Sequence, residues 1–254
     1  MANSPAPSAD RLGQKLYEGK AKIIYATDNP EVLITYFKDD ATAFNAQKRG
    51  QILNKGVINC KITAYLYALL EKQGIATHLL ETTSEREQRI KRVQIVPLEV
   101  VVRNLAAGSL CKQTGIALGT KLEPSLVEFY YKNDDLGDPL LTRDRIFAMG
   151  LTSPERLTEL TQKAEAINHI LSQFFTRCGI TLVDFKLEFG TDSAGTLLLA
   201  DEISPDTCRL WDTSQPDERQ RVMDKDRFRQ DLGNVAAGYQ AVLERIAAQL
   251  ENPA

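Results

Sequence analysis

In the stretch "LVDFKLEFG" three charges occupy alternate positions, Asp184, Lys186 and Glu188, between the apolar Val183, Phe185, Leu187 and Phe189. Successive side chains of a strand point to opposite faces, so the apolar set turns to a core and the charged set shares the other face. A turn, "GTDSAGT", and an acid-rich return, "LLLADEISPDTCRLWD", follow. A register that opposes Lys186 to Asp201 puts Asp201 on the charged face, diagonal to Glu188 and about 7–8 Å from it at the backbone. A slip of one residue presents Glu202 instead, and the pattern leaves that choice open. Two carboxylates on one face suit Mg²⁺, which is held by one or two carboxylates together with substrate phosphates. The same pattern also describes a solvated hairpin face closed by a salt bridge.

Two further stretches offer anion sites. In "LYEGKAKIIY", Gly19 marks a hairpin bend where backbone can approach a ligand, and Lys20 and Lys22 lie two residues apart and project the same way. Paired ammonium groups suit a polyphosphate, although the chain has no GxxxxGK[ST] loop. In "VPLEVVVRNLAAGSLCKQTG" a strand ends at Arg103, and Ser109 is placed to cap the helix that follows. Free amides at a helix start, with an arginine beside them, suit a phosphate monoester. The loop "YYKNDDLGDP" adds Lys132, Asp134, Asp135 and Asp138. Taken singly these are also a surface hairpin, an ordinary helix cap and a polar turn. Together they describe two phosphate sites, a metal site and loose carboxylates without a nucleophile. That combination points to phosphoryl chemistry driven by positioning and electrostatics.

The elements that position these residues follow from periodicity. Residues 15–38 read as three strands separated by short turns. Val57, Ile58, Ile62, Tyr65, Leu66, Leu69 and Leu70 recur at helical spacing from Lys55 to Gln73, and Gly74 closes that helix. "IATHLLE" and "RVQIVPLEVVVRN" read as strands. Ser153 and Pro154 open a second helix that runs to Gly179, with Leu157, Leu160, Ala164, Ile167, Ile170, Leu171, Phe174 and Phe175 as its stripe. A last helix is expected from about Asp226 to Leu250. Strand-rich and helix-rich blocks that do not alternate strictly indicate an α+β fold. The expected division is a disordered tail over 1–12, a β-rich N-terminal lobe over 13–90 and a larger α+β lobe over 91–254. A ligand is expected in the cleft between the lobes.

Composition narrows the classes. A formal charge of −3 gives no general attraction to nucleic acid or anionic lipid, so any phosphate site must be local. Cys60, Cys111, Cys178 and Cys208 are scattered without a CxxC pair, which suits a reducing, cytoplasmic setting rather than a zinc site or disulfide framework. "MANSPAPSAD" lacks the apolar segment of a signal peptide, and no run reaches the roughly 20 apolar residues of a membrane span. His78 and His169 read as structural, which disfavours Ser–His and Cys–His chemistry.

The order of "EGKAK", "VPLEVVVRNLAAGS", "VDFKLEFG", "DEISPDTCRLWD" and "DKDRFRQ" resembles that of the SAICAR synthetases, from about Lys15 to the final helix. The resemblance implies an ATP-dependent ligase of de novo purine synthesis. Such an enzyme joins L-aspartate to the carboxylate of 5-amino-1-(5-phosphoribosyl)imidazole-4-carboxylate (CAIR), giving SAICAR, ADP and phosphate. It implies a kinase-like N-terminal lobe, an α+β second lobe, ATP between them, and Mg²⁺. By position, Gly19, Lys20 and Lys22 belong to the loop over the ATP phosphates. Glu188 and Asp201 match the magnesium carboxylates, Glu188 also facing ATP, and Lys186 lies on their face as a catalytic cation. Arg103, Ser109 and Arg209 match the groups that hold the ribonucleotide and its 5′-phosphate, while Lys132 and Asp138 lie in its substrate loop. Asp184 and Asp206 are candidates for orienting the incoming aspartate, and Asp206 for taking its amine proton. "DDATAFNAQKRGQILNKG" receives no role. The partners implied are small molecules, with no nucleic acid and no membrane, and a homodimer is left open. The alternatives are a kinase that stops at the phosphorylated product and a nucleotide-binding regulator without turnover. The joint presence of Lys20, Glu188, Asp201 and Arg209 speaks against the regulator.

Overall fold

The computed structural model describes residues 13–43 and 47–252. The tail expected over 1–12, and residues 44–46 of the segment without a role, lie outside the described residues. From the N-terminus come β1 (Lys15–Glu18), β2 (Lys22–Ala26) and β3 (Val32–Phe37), then a separate hairpin of β4 (Asp40–Ala43) and β5 (Lys48–Gln51). Helix α1 (Lys55–Lys72) leads to β6 (Leu79–Thr82) and β7 (Glu87–Lys91), which complete a five-stranded antiparallel sheet in the order β1-β2-β3-β7-β6. The second sheet begins with β8 (Gln94–Leu105), α2 (Ser109–Thr114) and β9 (Lys121–Tyr131). A 3₁₀ turn (Asp134–Leu136), β10 (Leu140–Leu141), α3 (Arg143–Ala148) and α4 (Pro154–Arg177) follow. It is completed by β11 (Ile180–Thr191), β12 (Leu197–Ala200) and β13 (Cys208–Asp212), with α5 (Asp226–Arg229) and α6 (Val235–Glu251) last. The strand order is β10-β9-β8-β11-β12, with β13 also paired to β11, and the architecture is α+β as expected.

Helix α1 buries Ile58, Ile62, Leu66 and Leu70 along one stripe, and Gly74 takes the left-handed conformation (φ 83°) just past its end. Ser153 caps α4 by accepting from Arg156 N at 3.2 Å, and Leu157, Leu160, Ala164, Ile167 and Leu171 are buried along it. One hydrophobic cluster joins α1, α4 and α6 to the inner faces of β8, β11 and β12. Phe185, Leu187 and Phe189 are each about 1% exposed there, worth roughly 1.5–3 kcal/mol apiece.

Three expectations change, and two strands were not foreseen. Val183 does not share a side with Phe185: a bulge between Leu182 and Asp184 sends it to a second cluster with Ala107, Trp211 and Val222. The β11–β12 register opposes Glu188 to Ala200, one residue away from the pairing of Lys186 with Asp201. The helix expected over 226–250 is broken, because Asp231, Gly233 and Asn234 all adopt positive φ between α5 and α6. Strands β7 and β9 carried weak signals: β7 is mostly polar, with Gln88 donating to Cys60 O at 2.9 Å, and β9 contains Pro124.

Candidate active site

The sheets face each other across a cavity of about 670 Å³. It is lined by Gly19, Lys20, Lys22, Arg103, Lys132, Asp138, Asp184, Lys186, Glu188, Asp201, Asp206 and Arg209. Every site residue of the sequence analysis is therefore here except Ser109, which lies behind Arg103 and accepts from its Nη2 at 3.0 Å.

One end is a mesh of lysines and carboxylates. Glu188 lies directly opposite Glu99 in the β11–β8 register, an unfavourable pairing of like charges. Lys186 offsets it, with Nζ 2.5 Å from Glu188 Oε1, 3.1 Å from Glu99 Oε1 and 3.3 Å from Asp201 Oδ2. Lys132 reaches the same Glu188 oxygen at 2.8 Å, so the second carboxylate oxygen is not committed to either lysine. Lys22 crosses from the opposing sheet to pair with Asp201 and lies 3.1 Å from Glu202 Oε1. Lys20 pairs with Asp134 at 2.6 Å on the exposed rim, and Asp138 holds the neighbouring turn by accepting from Asn133 N at 2.9 Å.

The slipped register explains how both acids arrive. Strict alternation after Ala200 would turn Asp201 away, but its φ of 63° swings the carboxylate back into the cavity. Helix α1 holds the backbone on either side, through Tyr67 OH to Ala200 O at 2.7 Å and Thr63 Oγ1 to Ile203 O at 3.2 Å. Burial alone would raise the Asp201 carboxyl, but Lys22, Lys186 and Lys132 reverse this and hold it well below the usual carboxylate range. Burial likewise works against the Lys186 ammonium, and Glu188 and Asp201 outweigh it, so Lys186 stays a cation and is no proton acceptor.

The other end is a row of arginine and aspartate. Asp184 stands opposite Arg103 on β8 and Arg209 on β13, so the sheet register alone aligns the three. Its oxygens accept from Arg103 Nη1 at 2.9 Å and from Arg209 Nη1 at 2.8 and 3.0 Å. Arg103 is buried and fully engaged: Nε meets Glu128 at 2.7 Å, and Nη2 meets Tyr130 OH at 3.1 Å besides Ser109. Arg209 is held by Nη1 and, through Nε, by Asp226 Oδ2 at 2.8 Å. Its Nη2 makes no hydrogen bond among the described residues and points at Gly108, where an added Cβ would sit 2.4 Å away. Ser109 does not cap α2: Gly108 occupies the cap position, with φ 57°, and the Ser109 hydroxyl serves Arg103.

Asp206 sits between the two ends. Lys55 Nζ (2.6 Å) and Asn59 Nδ2 (3.1 Å) bond Oδ2, and Tyr239 OH (2.7 Å) bonds Oδ1. Burial opposes its ionisation, but Lys225 and Lys55 prevail and hold the carboxyl far below its ordinary value. Such a carboxylate is a poor base, which counts against the proton-accepting role. His78 is buried, and that burial together with Lys22 pushes it down to about 4, so it is a neutral ring packed on Tyr67.

The sequence reading missed Glu99, Lys225 and Arg229, which also line the cavity. Glu99 was accessible, because it alternates with Val101 and Arg103 along β8. Lys225 and Arg229 stand in "DKDRFRQ" four residues apart, a spacing that puts both on one face of a helix and that the sequence reading did not use.

The family model for SAICAR synthetase matches residues 15–246. The chain belongs to the SAICAR synthetase family. It is 65% identical over 237 residues, 93% of this chain and 97% of the relative, to phosphoribosylaminoimidazole-succinocarboxamide synthase of Acaryochloris marina. A crystal structure of that synthase from Ehrlichia chaffeensis superposes with a TM-score of 0.89 at 47% identity, covering 92% of this chain and 99% of the other. A SAICAR synthetase in complex with ADP superposes with a TM-score of 0.87 at 42% identity, covering 91% of this chain and 97% of that one. Among the described residues no helix is long and apolar enough to cross a membrane.

Proposed function

We propose that this cleft carries out the ATP-dependent ligation of its family, joining L-aspartate to the carboxylate of CAIR with release of ADP and phosphate. The observation that carries the reading is the division of one cavity into an arginine row and a lysine–carboxylate mesh. Arg103 and Glu99 are four residues apart on β8, about 13 Å at roughly 3.3 Å per residue, a span that fits a ribonucleotide monophosphate with its carboxylate at the far end. On this reading Arg209 Nη2 receives the 5′-phosphate, while Arg103, Asp184 and, behind Arg103, Ser109 fix the frame around it. The ADP-bound relative supports placing ATP against Gly19, Lys20 and Lys22, with the N-terminal sheet, up to about residue 90, as its cover.

Glu188 and Asp201 fit Mg²⁺: both offer hard oxygens, and they lie close enough for one lysine to touch both. Bound there, it would neutralise charge on the transferring phosphoryl group. Lys22, Lys132 and Lys186 surround the same oxygens and stabilise that charge as fixed cations. Phosphorylation of the ribonucleotide carboxylate makes it electrophilic, the neutral amine of aspartate attacks it, and phosphate leaves. Lys225 and Arg229 give the aspartate carboxylates cationic partners beside Asp206. Four unpaired thiols suit a cytoplasmic enzyme.

An ADP-release assay with ATP, Mg²⁺, CAIR and L-aspartate tests this. Release is expected only when CAIR and L-aspartate are both present; a phosphorylated product that accumulates without aspartate would make the protein a kinase.

A further inference from the structure

Asp224 is fully buried, does not line the cleft and has no part in the chemistry above. Its carboxylate bridges two backbone amides: Oδ2 accepts from Leu210 N at 2.7 Å and Oδ1 from Asp226 N at 2.8 Å. Both amides adjoin the arginine row. Leu210 follows Arg209 on β13, and Asp226 accepts from Arg209 Nε at 2.8 Å and from Arg229 Nη1 at 2.6 Å. The chain before Asp224 runs as a short extra strand beside β13, with Trp211 bridged to Val222 and Met223 N donating to Leu210 O at 2.9 Å. At Asp224 it leaves the sheet and turns into α5, with Arg227 N donating to Asp224 O at 3.0 Å. The side chain thus takes over the Leu210 amide at the point where no backbone carbonyl continues the ladder.

We propose that Asp224 is a positioning residue that sets the reach of Arg209 toward the ribonucleotide phosphate, by locking β13 to the turn that carries Asp226. The proposal rests on the reading of Arg209 as a phosphate-holding group. Arg209 pivots on Asp184 through Nη1, so the placement of Asp226 at Nε decides where its remaining nitrogen, Nη2, points. A carboxylate has two acceptor oxygens, whereas an amide has one. Asp224→Asn must therefore release Leu210 or Asp226, and either loss frees the guanidinium to rotate.

A double-mutant cycle on KM at pH 8, where the Asp224 side chain is the carboxylate, tests the link. Asp224→Asn is expected to raise the KM for CAIR about tenfold while the KM for ATP stays within about twofold. In the Arg209→Ala background the same substitution should add less than about twofold to the KM for CAIR, because a residue acting through Arg209 has nothing left to act on. An unchanged KM for CAIR in Asp224→Asn, or a tenfold effect that persists without Arg209, overturns the proposal. Should Arg209→Ala itself leave the KM for CAIR unchanged, the phosphate-holding reading fails separately, and the proposal falls with it. If circular dichroism shows that Asp224→Asn does not fold, Asp224→Glu, which keeps the charge but misplaces it, enters the same cycle with the same two readings.

Discussion

Lys22 and Asp201 form an ion pair across the cleft, tying the first residue of β2 in the N-terminal sheet to the residue that follows β12 in the other sheet. Both side chains are largely withdrawn from solvent, and Asp201 reaches this position only because its backbone is left-handed. On the proposed reading, substrate binding exchanges these lysine contacts for phosphate and cation contacts without undoing the backbone that presents the carboxylate.

Asp201→Asn and Glu188→Gln keep shape and remove one charge each. Activity should fall roughly 10²–10³-fold, the scale of one preorganised electrostatic element, with part of the loss recovered at higher Mg²⁺. Because these acids are paired with lysines, a stability loss of about 1–3 kcal/mol should accompany it. Steady-state ADP release against Mg²⁺, with melting curves, separates the effects; normal turnover at low Mg²⁺ would remove the acids from the site.

Arg209→Ala should weaken CAIR by about 1.5–3 kcal/mol and leave ATP affinity nearly intact. Gly108→Ala should do the same more mildly, since its Cβ would fall within 3 Å of three guanidinium atoms at a positive φ. Separate titrations of the two ligands check both variants, and an equal loss for ATP would contradict the assignment.

Asp206→Asn leaves the Lys55 ammonium, only 1% exposed, without its ion partner. Removing one member of such a buried pair typically costs about 3–5 kcal/mol. The folded carboxyl lies below its ordinary 3.8, so the stability it contributes is full above that value and is lost as pH falls below it. The melting-temperature gap between wild type and Asp206→Asn should be wide at pH 7 and narrow steadily below about pH 4; a gap independent of pH would contradict the ion-pair account.

Asp224 has the opposite sign. Burial and the neighbouring Asp226 push its carboxyl up to about 7, against the pull of two backbone amides and Arg209. A raised carboxyl contributes stability that is full below 3.8 and lost as pH rises through 7. Asp224→Asn should therefore lose its stability deficit relative to wild type between about pH 4 and pH 7, read from melting temperatures across that range.

The charged face of β11 and the lysine turn were legible in the sequence, because alternation on a strand needs only the side-chain period. Arg103 and Arg209 were found, but their convergence on Asp184 was not, since it depends on the pairing of three strands distant in sequence. The bulge at Val183 and the left-handed Asp201 are each decided by tertiary packing, by the second apolar cluster and by α1 respectively. Periodicity could not foresee either. The break after α5 was readable in "DLGN", which collects residues that tolerate positive φ, but Phe228, Leu232, Val235 and Tyr239 recur at helical spacing through it and masked the stop.

In the proposed reaction the cleft activates the ribonucleotide carboxylate by phosphorylation before aspartate attacks. CAIR labelled with ¹⁸O in its carboxylate tests this directly, by mass analysis of the inorganic phosphate released with ATP and L-aspartate. One labelled oxygen is expected in each phosphate released from fully labelled CAIR, because the carboxylate oxygen that accepts the phosphoryl group leaves with it. Unlabelled phosphate accompanying stoichiometric amide formation would contradict the proposed reaction.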